Sequence, residues 1–288
     1  MPVCLDLIHD FSPCKYETFP QAAAGKLAIA HQLAVLYKGL SYHTGSIYPM
    51  GYNPLVKIKD SATDRGNPSK QAAPFFCVPG LGGSSFCLYY LANHLSEMGR
   101  TVYGFDAPGI LPGTQPLRTV EEHAKLYLAA IMRDCPSNSY ALGGYCFGAA
   151  VILEMAHTLR SLDYKVRLVL IDPTAPPAGR NRRQTVEQLQ ALREMFLAAR
   201  SDIPPEYRRV ELAAKEALKS YQPQPVAVEA LFVGRYDNLL SYDKWYYLTG
   251  GRLTEQIMPC HHLQILNEPH VKTLAVWIDE YLTQSSDI

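Results

Sequence analysis

From residue 75 onward the chain alternates short apolar runs with longer stretches whose apolar positions recur at helical spacing. FFCVPG (75–80) is a short apolar run ending in glycine, the pattern of a buried strand. LYYLANHLSEMG (88–99) has the period of a helix, and TVYGFDAPG (101–109) predicts a second strand closing in a turn. TVEEHAKLYLAAIMRDC (119–135) opens with Thr119 and Glu122 at capping-box spacing, which marks a helix start. SYALGGYC, AAVILEMAHTLRSL, VRLVLIDPT and VAVEALFVG continue the order as strand, helix, strand, strand. Such alternation predicts an α/β fold with a mostly parallel sheet covered by helices on both faces. One stretch breaks the rhythm: residues 176–224 hold two helical segments, TVEQLQALREMFLAA and EYRRVELAAKEALKSY, and no strand pattern. A helical excursion between two strands is expected to form a mobile lid over a site.

The first 70 residues are less regular. QAAAGKLAIAHQLAVLYKGL (21–40) suits a helix, NPLVKIKD (53–60) suits a first strand, and SATDRGNPSK (61–70) is a polar linker. The expected organisation is an N-terminal extension over 1–51 and one domain over 52–288, with the lid at 176–224.

Composition narrows the function classes. Lys plus Arg and Asp plus Glu are equal at 27 each, which argues against nucleic acid and anionic membrane as partners. No apolar run approaches the ~20 residues of a membrane span, and the first residues lack the basic and apolar regions of a secretory signal. Seven cysteines without a CxxC pair speak against a disulfide framework and a zinc site. A cytoplasmic protein with free thiols is expected.

One of those thiols stands in a chemical motif. In GGYCFGAA (143–150) a cysteine sits between Gly144 and Gly148 at the junction of a predicted strand and helix. This is the spacing of a nucleophile elbow, a turn so tight that the residues two before and two after the nucleophile must lack a side chain. With seven cysteines and 19 glycines in 288 residues, chance supplies only about 0.03 such matches. The bland alternative is a buried cysteine packing a helix on a strand.

An elbow nucleophile needs a base, an acid that orients it and donors for an oxyanion. In this architecture they follow in the order nucleophile, acid, base. Asp172 ends the next predicted strand and is the preferred acid; Asp237, after the following strand, is the rival. A turn-forming Asp before Pro173 would give the same letters. IMPCHHLQIL (257–266) offers His261 and His262 before the last predicted helix, and His262 is the expected base. The oxyanion donors are expected to be the N–H of Phe147 and that of Leu81 or Gly82 in PGLGGSS (79–85).

Taken in order, PFFCVPGLGGSSFCLYYLANHL, VYGFDAPG, TVEEHAKLYLAAI, ALGGYCFGAAVILEMA, LVLIDPTAP and DKWYYLTGGRLTEQIMPCHHLQIL resemble the thioesterase domains of nonribosomal peptide and polyketide synthases. The resemblance spans about residues 52–285 and implies an α/β-hydrolase fold with a helical lid. It implies release of an acyl or peptidyl chain from the phosphopantetheine arm of a carrier protein, by hydrolysis or cyclisation, with no bound cofactor. Carried onto this sequence, it implies Cys146 as nucleophile, Asp172 as acid, His262 as base, and Leu81 with Phe147 as oxyanion donors. The chain departs from the family in its nucleophile, which is usually serine, and in Pro259-Cys260-His261-His262 before the base. Residues 1–50 have no counterpart in the resemblance.

A thiol changes the chemistry expected of such a site. A helix N-terminus and a nearby imidazole lower a cysteine pKa. The resulting acyl-enzyme is a thioester, as activated as the carrier thioester it came from. That favours transfer to an amine or closure of a strained ring over attack by water. An editing hydrolytic thioesterase, a dienelactone-hydrolase-like enzyme and a catalytically silent binding module are the competing readings. Arg180, Arg182 and Arg183 are expected at the lid entrance, where a basic rim would meet an acidic carrier; a solvated charge run is the alternative.

Overall fold

The computed structural model describes residues 52–62, 72–174, 203–236 and 241–284. The regular elements in chain order are β1 (Leu55–Lys59), β2 (Ala72–Val78), α1 (Tyr89–Glu97), β3 (Arg100–Phe105), α2 (Val120–Asp134) and β4 (Ser139–Tyr145). They continue as α3 (Gly148–Ser161), β5 (Lys165–Ile171), α4 (Pro205–Ser220), β6 (Glu229–Gly234), α5 (Tyr242–Leu248), β7 (Leu253–Ile257) and α6 (His270–Thr283). The seven strands form one sheet in the order β1-β3-β2-β4-β5-β6-β7. Only β1 runs antiparallel, against β3 at the edge; every other pairing is parallel. This is the mostly parallel, helix-covered sheet that the alternating pattern predicts, in keeping with the α/β-hydrolase fold that the resemblance implies.

The sheet divides two apolar layers. One holds α2, α3 and α4, with Tyr127, Ile152 and Ala214 among its buried side chains. The other holds α1 and α6, with Leu91, Leu95, Leu274 and Ile278. Central strands such as LVLI in β5 are buried throughout because both faces are covered. The capping box expected at Thr119 is present: Glu122 N–H donates to Thr119 Oγ1 at 3.1 Å, and Glu122 Oε2 accepts from Thr119 N–H at 3.2 Å. Arg100, buried at the start of β3, donates to Asp279 Oδ1 on α6 at 2.8 Å and to the Ala73 carbonyl at 2.7 Å. That pairing pins the last helix, and with it the loop that precedes it, to the sheet.

Helix α4 is the described part of the expected lid; residues 176–202, with Arg180, Arg182 and Arg183, lie outside the described residues, as do 1–51 and Asp237. Val210 and Ala214 of α4 are buried, and the helix packs on α2. A Cβ at Gly83, where φ is +68°, would stand 2.7 Å from Val210 Cγ1 and from Ala107 Cβ. Helix α4 therefore rests against the loop that follows β2.

Beneath that loop lies His123. The sequence leaves it as one of several helical histidines, solvated or packed; it is 3% exposed. Its Nδ1 lies 2.7 Å from the Thr119 carbonyl, and its ring meets Phe147 edge-on at 5.2 Å. Burial pulls the imidazole down from 6.5 to about 4. The unfolded chain therefore takes up a proton here near pH 6.5 while the fold refuses one until about 4, so stability falls as pH drops through that window. In chemical denaturation, wild type is expected to lose up to roughly 3 kcal/mol of its advantage over His123→Asn between pH 7 and pH 4. A pH-independent gap would contradict this.

Candidate active site

Cys146 occupies the turn between β4 and α3 with φ at +55°, a left-handed backbone that only a tightly held turn imposes on a cysteine. Its neighbours explain why the turn closes. A Cβ on Gly144 would fall 2.5 Å from the backbone of Gly148, and one on Gly148 would fall 2.3 Å from the Val78 carbonyl oxygen. Both glycines are thus required by the close approach of α3 to β4 and β2. The Cys146 N–H donates to the Ile171 carbonyl at 3.0 Å, and the Thr174 N–H donates to the Cys146 carbonyl at 3.3 Å. The elbow is tied to the end of β5 on both sides.

Asp172 follows directly on β5 and is 2% exposed. Its own backbone is left-handed, with φ at +39°, and its N–H donates to the Val233 carbonyl of β6 at 2.7 Å. His262 begins a short 3-10 turn between β7 and α6. Its Nδ1 lies 2.5 Å from Asp172 Oδ2. His261 is exposed, and its backbone N–H donates to Gln264 Oε1 at 3.2 Å. The structure therefore brings Cys146, Asp172 and His262 together and leaves His261 outside the cluster.

Several contacts were not read from the sequence. Arg235, just past β6, donates from Nε to the same Asp172 Oδ2 at 2.5 Å, so a cation and an imidazole share one buried carboxylate oxygen. Thr174 Oγ1 stands 3.2 Å from Cys146 Sγ. Tyr145 stacks on the His262 ring at 4.9 Å, and its hydroxyl donates to the His262 carbonyl at 2.9 Å. This stack and hydrogen bond clamp His262 to the residue before Cys146. Tyr207 and Glu211 of α4 complete the list by lining the cavity above the thiol. Tyr145 and Thr174 are close to Cys146 and Asp172 in sequence. Arg235 and Glu211 carry no motif.

The electrostatics couple the thiol and the imidazole. Burial pushes the Cys146 thiol up, but the hydrogen bond and charge of His262 oppose it. Hydrogen bonds from Thr174 and the Phe147 N–H act in the same direction, and the net shift is downward. For His262 burial pulls down, while hydrogen bonds to Asp172 and Cys146 raise the imidazole to about 9. The pair favours thiolate beside imidazolium. The Phe147 N–H, at the start of α3, faces the sulfur. Cys146, His262 and Leu81 border one cavity of about 300 Å³. A larger one of about 410 Å³ lies at the opposite end of the sheet and has neither cysteine nor histidine among its described lining residues. Among the described residues no group of His, Cys, Asp and Glu could hold a metal ion, and no helix is long and apolar enough to cross a membrane.

Residues 73–280 match the thioesterase domain family. The chain belongs to that family. Indigoidine synthase of Streptomyces lavendulae is 40% identical over 107 residues, covering 37% of this chain and 8% of that protein. The chain spans less than a fifth of the length of the curated relatives it first matches. A four-domain nonribosomal peptide synthetase crystallised with AMP and glycine superposes with a TM-score of 0.64 at 23% identity, over 81% of this chain and 20% of that one. The type II thioesterase BorB from the borrelidin biosynthetic cluster superposes with a TM-score of 0.62 at 20% identity, over 80% and 97%. At these identities the structural likeness is one of fold.

The coupling of thiol and imidazole has a measurable consequence. Alkylation of Cys146 by iodoacetamide, followed by peptide mass, is expected to titrate with a midpoint below the ordinary thiol value of 9.0. His262→Ala removes the largest of the lowering groups and leaves Thr174 and the Phe147 N–H against burial, so the midpoint should move upward. An unchanged midpoint in that variant would show that the imidazole does not hold the thiolate.

Proposed function

We propose that this thioesterase domain takes an acyl or peptidyl group from the phosphopantetheine of a carrier protein onto Cys146. It then releases that group to an amine, to an internal nucleophile that closes a ring, or to water. The observation that carries the reading is His262, which bridges a buried carboxylate at Nδ1 and the elbow thiol on its other side.

In the first half-reaction the Cys146 thiolate attacks the thioester carbonyl carbon. The oxyanion that forms accepts hydrogen bonds from the N–H groups of Phe147 and Leu81. Collapse breaks the bond to the pantetheine sulfur, which leaves with the proton from His262 Nε2, and the acyl group rests on Cys146 as a thioester. In the second half, neutral His262 takes the proton from the acceptor as it attacks, and Cys146 leaves as thiolate. Asp172 holds the ring in the Nδ1–H tautomer throughout and compensates the imidazolium charge. Arg235 on the same oxygen orients that carboxylate through a charge-assisted hydrogen bond.

The acceptor follows from the thiol. Transfer from a carrier thioester to Cys146 is nearly isoenergetic, so the acyl group stays activated for the second step. A synthase setting, with the carrier as partner, is in keeping with the synthetase relatives.

Two outcomes test the assignment. Cys146→Ala should abolish both turnover and the acyl adduct seen by intact mass, and an adduct surviving on Cys77, Cys87 or Cys260 would move the nucleophile. His262→Ala should cost a factor of ~10²–10⁴ and far more than His261→Ala, with Asp172→Asn well below Asp237→Asn. A crippled Asp237→Asn beside an active Asp172→Asn would transfer the acid to the β6 end.

Cys146→Ser tests the acceptor. It replaces the thioester by a more stable ester, so acyl-enzyme should accumulate or leak to free acid while ring or amide product falls most. Free acid alone from both proteins at similar rates would make this a hydrolytic thioesterase.

A further inference from the structure

The larger cavity, of about 410 Å³, lies where the parallel strands begin, at the end of the sheet away from Cys146. Among its described lining residues five are cations, Arg100, Arg160, Lys165, Arg167 and Arg252, against one carboxylate, Glu229. The chain as a whole is balanced, with 27 basic and 27 acidic residues. Positive charge is therefore concentrated here. Strand register produces the cluster. Lys165 and Arg167 stand two apart on β5 and share one face of the sheet. Arg167 is level with Glu229 on β6. The Ala230 N–H donates to the Arg252 carbonyl at 2.9 Å, which sets Arg252 beside them at the start of β7. Arg160 enters from the last turn of α3.

Two of the five have a counter-charge: Arg100 meets Asp279 at 2.8 Å, and Arg167 meets Glu229 at 3.2 Å. Arg160 donates to a neutral group, the Tyr164 carbonyl, at 3.3 Å. Lys165 and Arg252 have no side-chain partner among the described residues. Three uncompensated positive charges thus border one concave space. All three are exposed, so burial does not fix their identity, and gathered this closely they repel one another. An anion carrying two or more negative charges would supply the missing counter-charge. A bare inorganic ion would leave most of 410 Å³ empty, and much of the remaining lining, Val228 and Leu282 among it, is apolar. The volume falls in the range of about 300–1,000 Å³ that accommodates small organic ligands. Guanidinium groups suit phosphate oxygens, which they bind in pairs of parallel hydrogen bonds.

We infer that this cleft is a second binding site, for a small phosphate ester of nucleotide size whose phosphates pair with Arg160, Lys165 and Arg252. Its apolar body lies against the valine and leucine side chains of the lining. The site is independent of the acyl chemistry proposed at Cys146.

The test is calorimetric titration of the full chain with ADP, pyrophosphate and adenosine. ADP is expected to bind most tightly, pyrophosphate more weakly and adenosine not at all, with ADP affinity falling as salt is raised. Lys165→Gln combined with Arg252→Gln should weaken ADP binding about tenfold to a hundredfold, the loss expected when hydrogen bonds to charged groups are removed. Arg160→Gln, on α3 rather than the sheet, is a second and separate variant and should weaken it too. Both act at exposed positions, where such substitutions cost the fold little. Alkylating Cys146 with iodoacetamide should leave ADP affinity unchanged, because no cysteine is among the described lining residues of the cleft. Absence of ADP binding at about 1 mM, equal affinity in wild type and variants, or adenosine binding as well as ADP would each overturn the inference. So would loss of ADP binding on alkylation, which would place the nucleotide over Cys146. Salt-sensitive binding of an acidic carrier protein without ADP binding would make the cleft a protein-docking face and overturn it as well.

Discussion

Everything at the functional end of this sheet hangs on how closely α3 approaches β4 and β2. The Gly148 Cα lies so near the Val78 carbonyl that no Cβ fits, and Gly144 lies equally near Gly148. That contact bends the chain into the left-handed conformation of Cys146 and aims the N-terminus of α3 past its sulfur. A residue in such a backbone costs of order 1–3 kcal/mol. The surrounding hydrogen bonds to Ile171 and Thr174 hold it in place. The same geometry gives the Phe147 N–H its direction toward the sulfur, so the thiol and the N–H beside it arise from one turn.

The partners of the thiol come from three other strand ends, and parallel register is what lines them up. Val78, Gly144, Leu170 and Phe232 stand at neighbouring positions across β2, β4, β5 and β6. Whatever follows each of these strands emerges on the same side. Asp172, Arg235 and the His262 loop meet there although 90 residues separate Asp172 from His262. The buried carboxylate then has two cationic or potentially cationic neighbours, a balance that neither an isolated Asp–His pair nor an isolated Asp–Arg pair would strike.

Much of this was legible from the chain. Strand and helix order follows from the change of apolar period, the capping box from two letters three apart, and the elbow from the glycines around Cys146. Strand direction at the edge was not: LVKIK reads the same whether it runs with β3 or against it. Arg235 and Glu211 were also invisible, because their partners are set by register and by the way α4 lies across the cavity. That Asp172 at the end of β5 faces His262 is a property of three dimensions that spacing only suggests. His123 looked like any helical histidine until the packing of Phe147 and Tyr127 around it was seen.

Val210 and Gly83 join two parts of the molecule that are usually considered apart. Gly83 belongs to the loop that carries Leu81, and Val210 belongs to the helix that presents Tyr207 and Glu211 to the cavity. With no Cβ on Gly83, its backbone is the bearing surface for the Val210 side chain. A group too bulky for the cavity cannot push α4 outward without removing the support on which the loop lies. Any shift of α4 is therefore transmitted to the loop that carries Leu81, and the two sides of the cavity move as one.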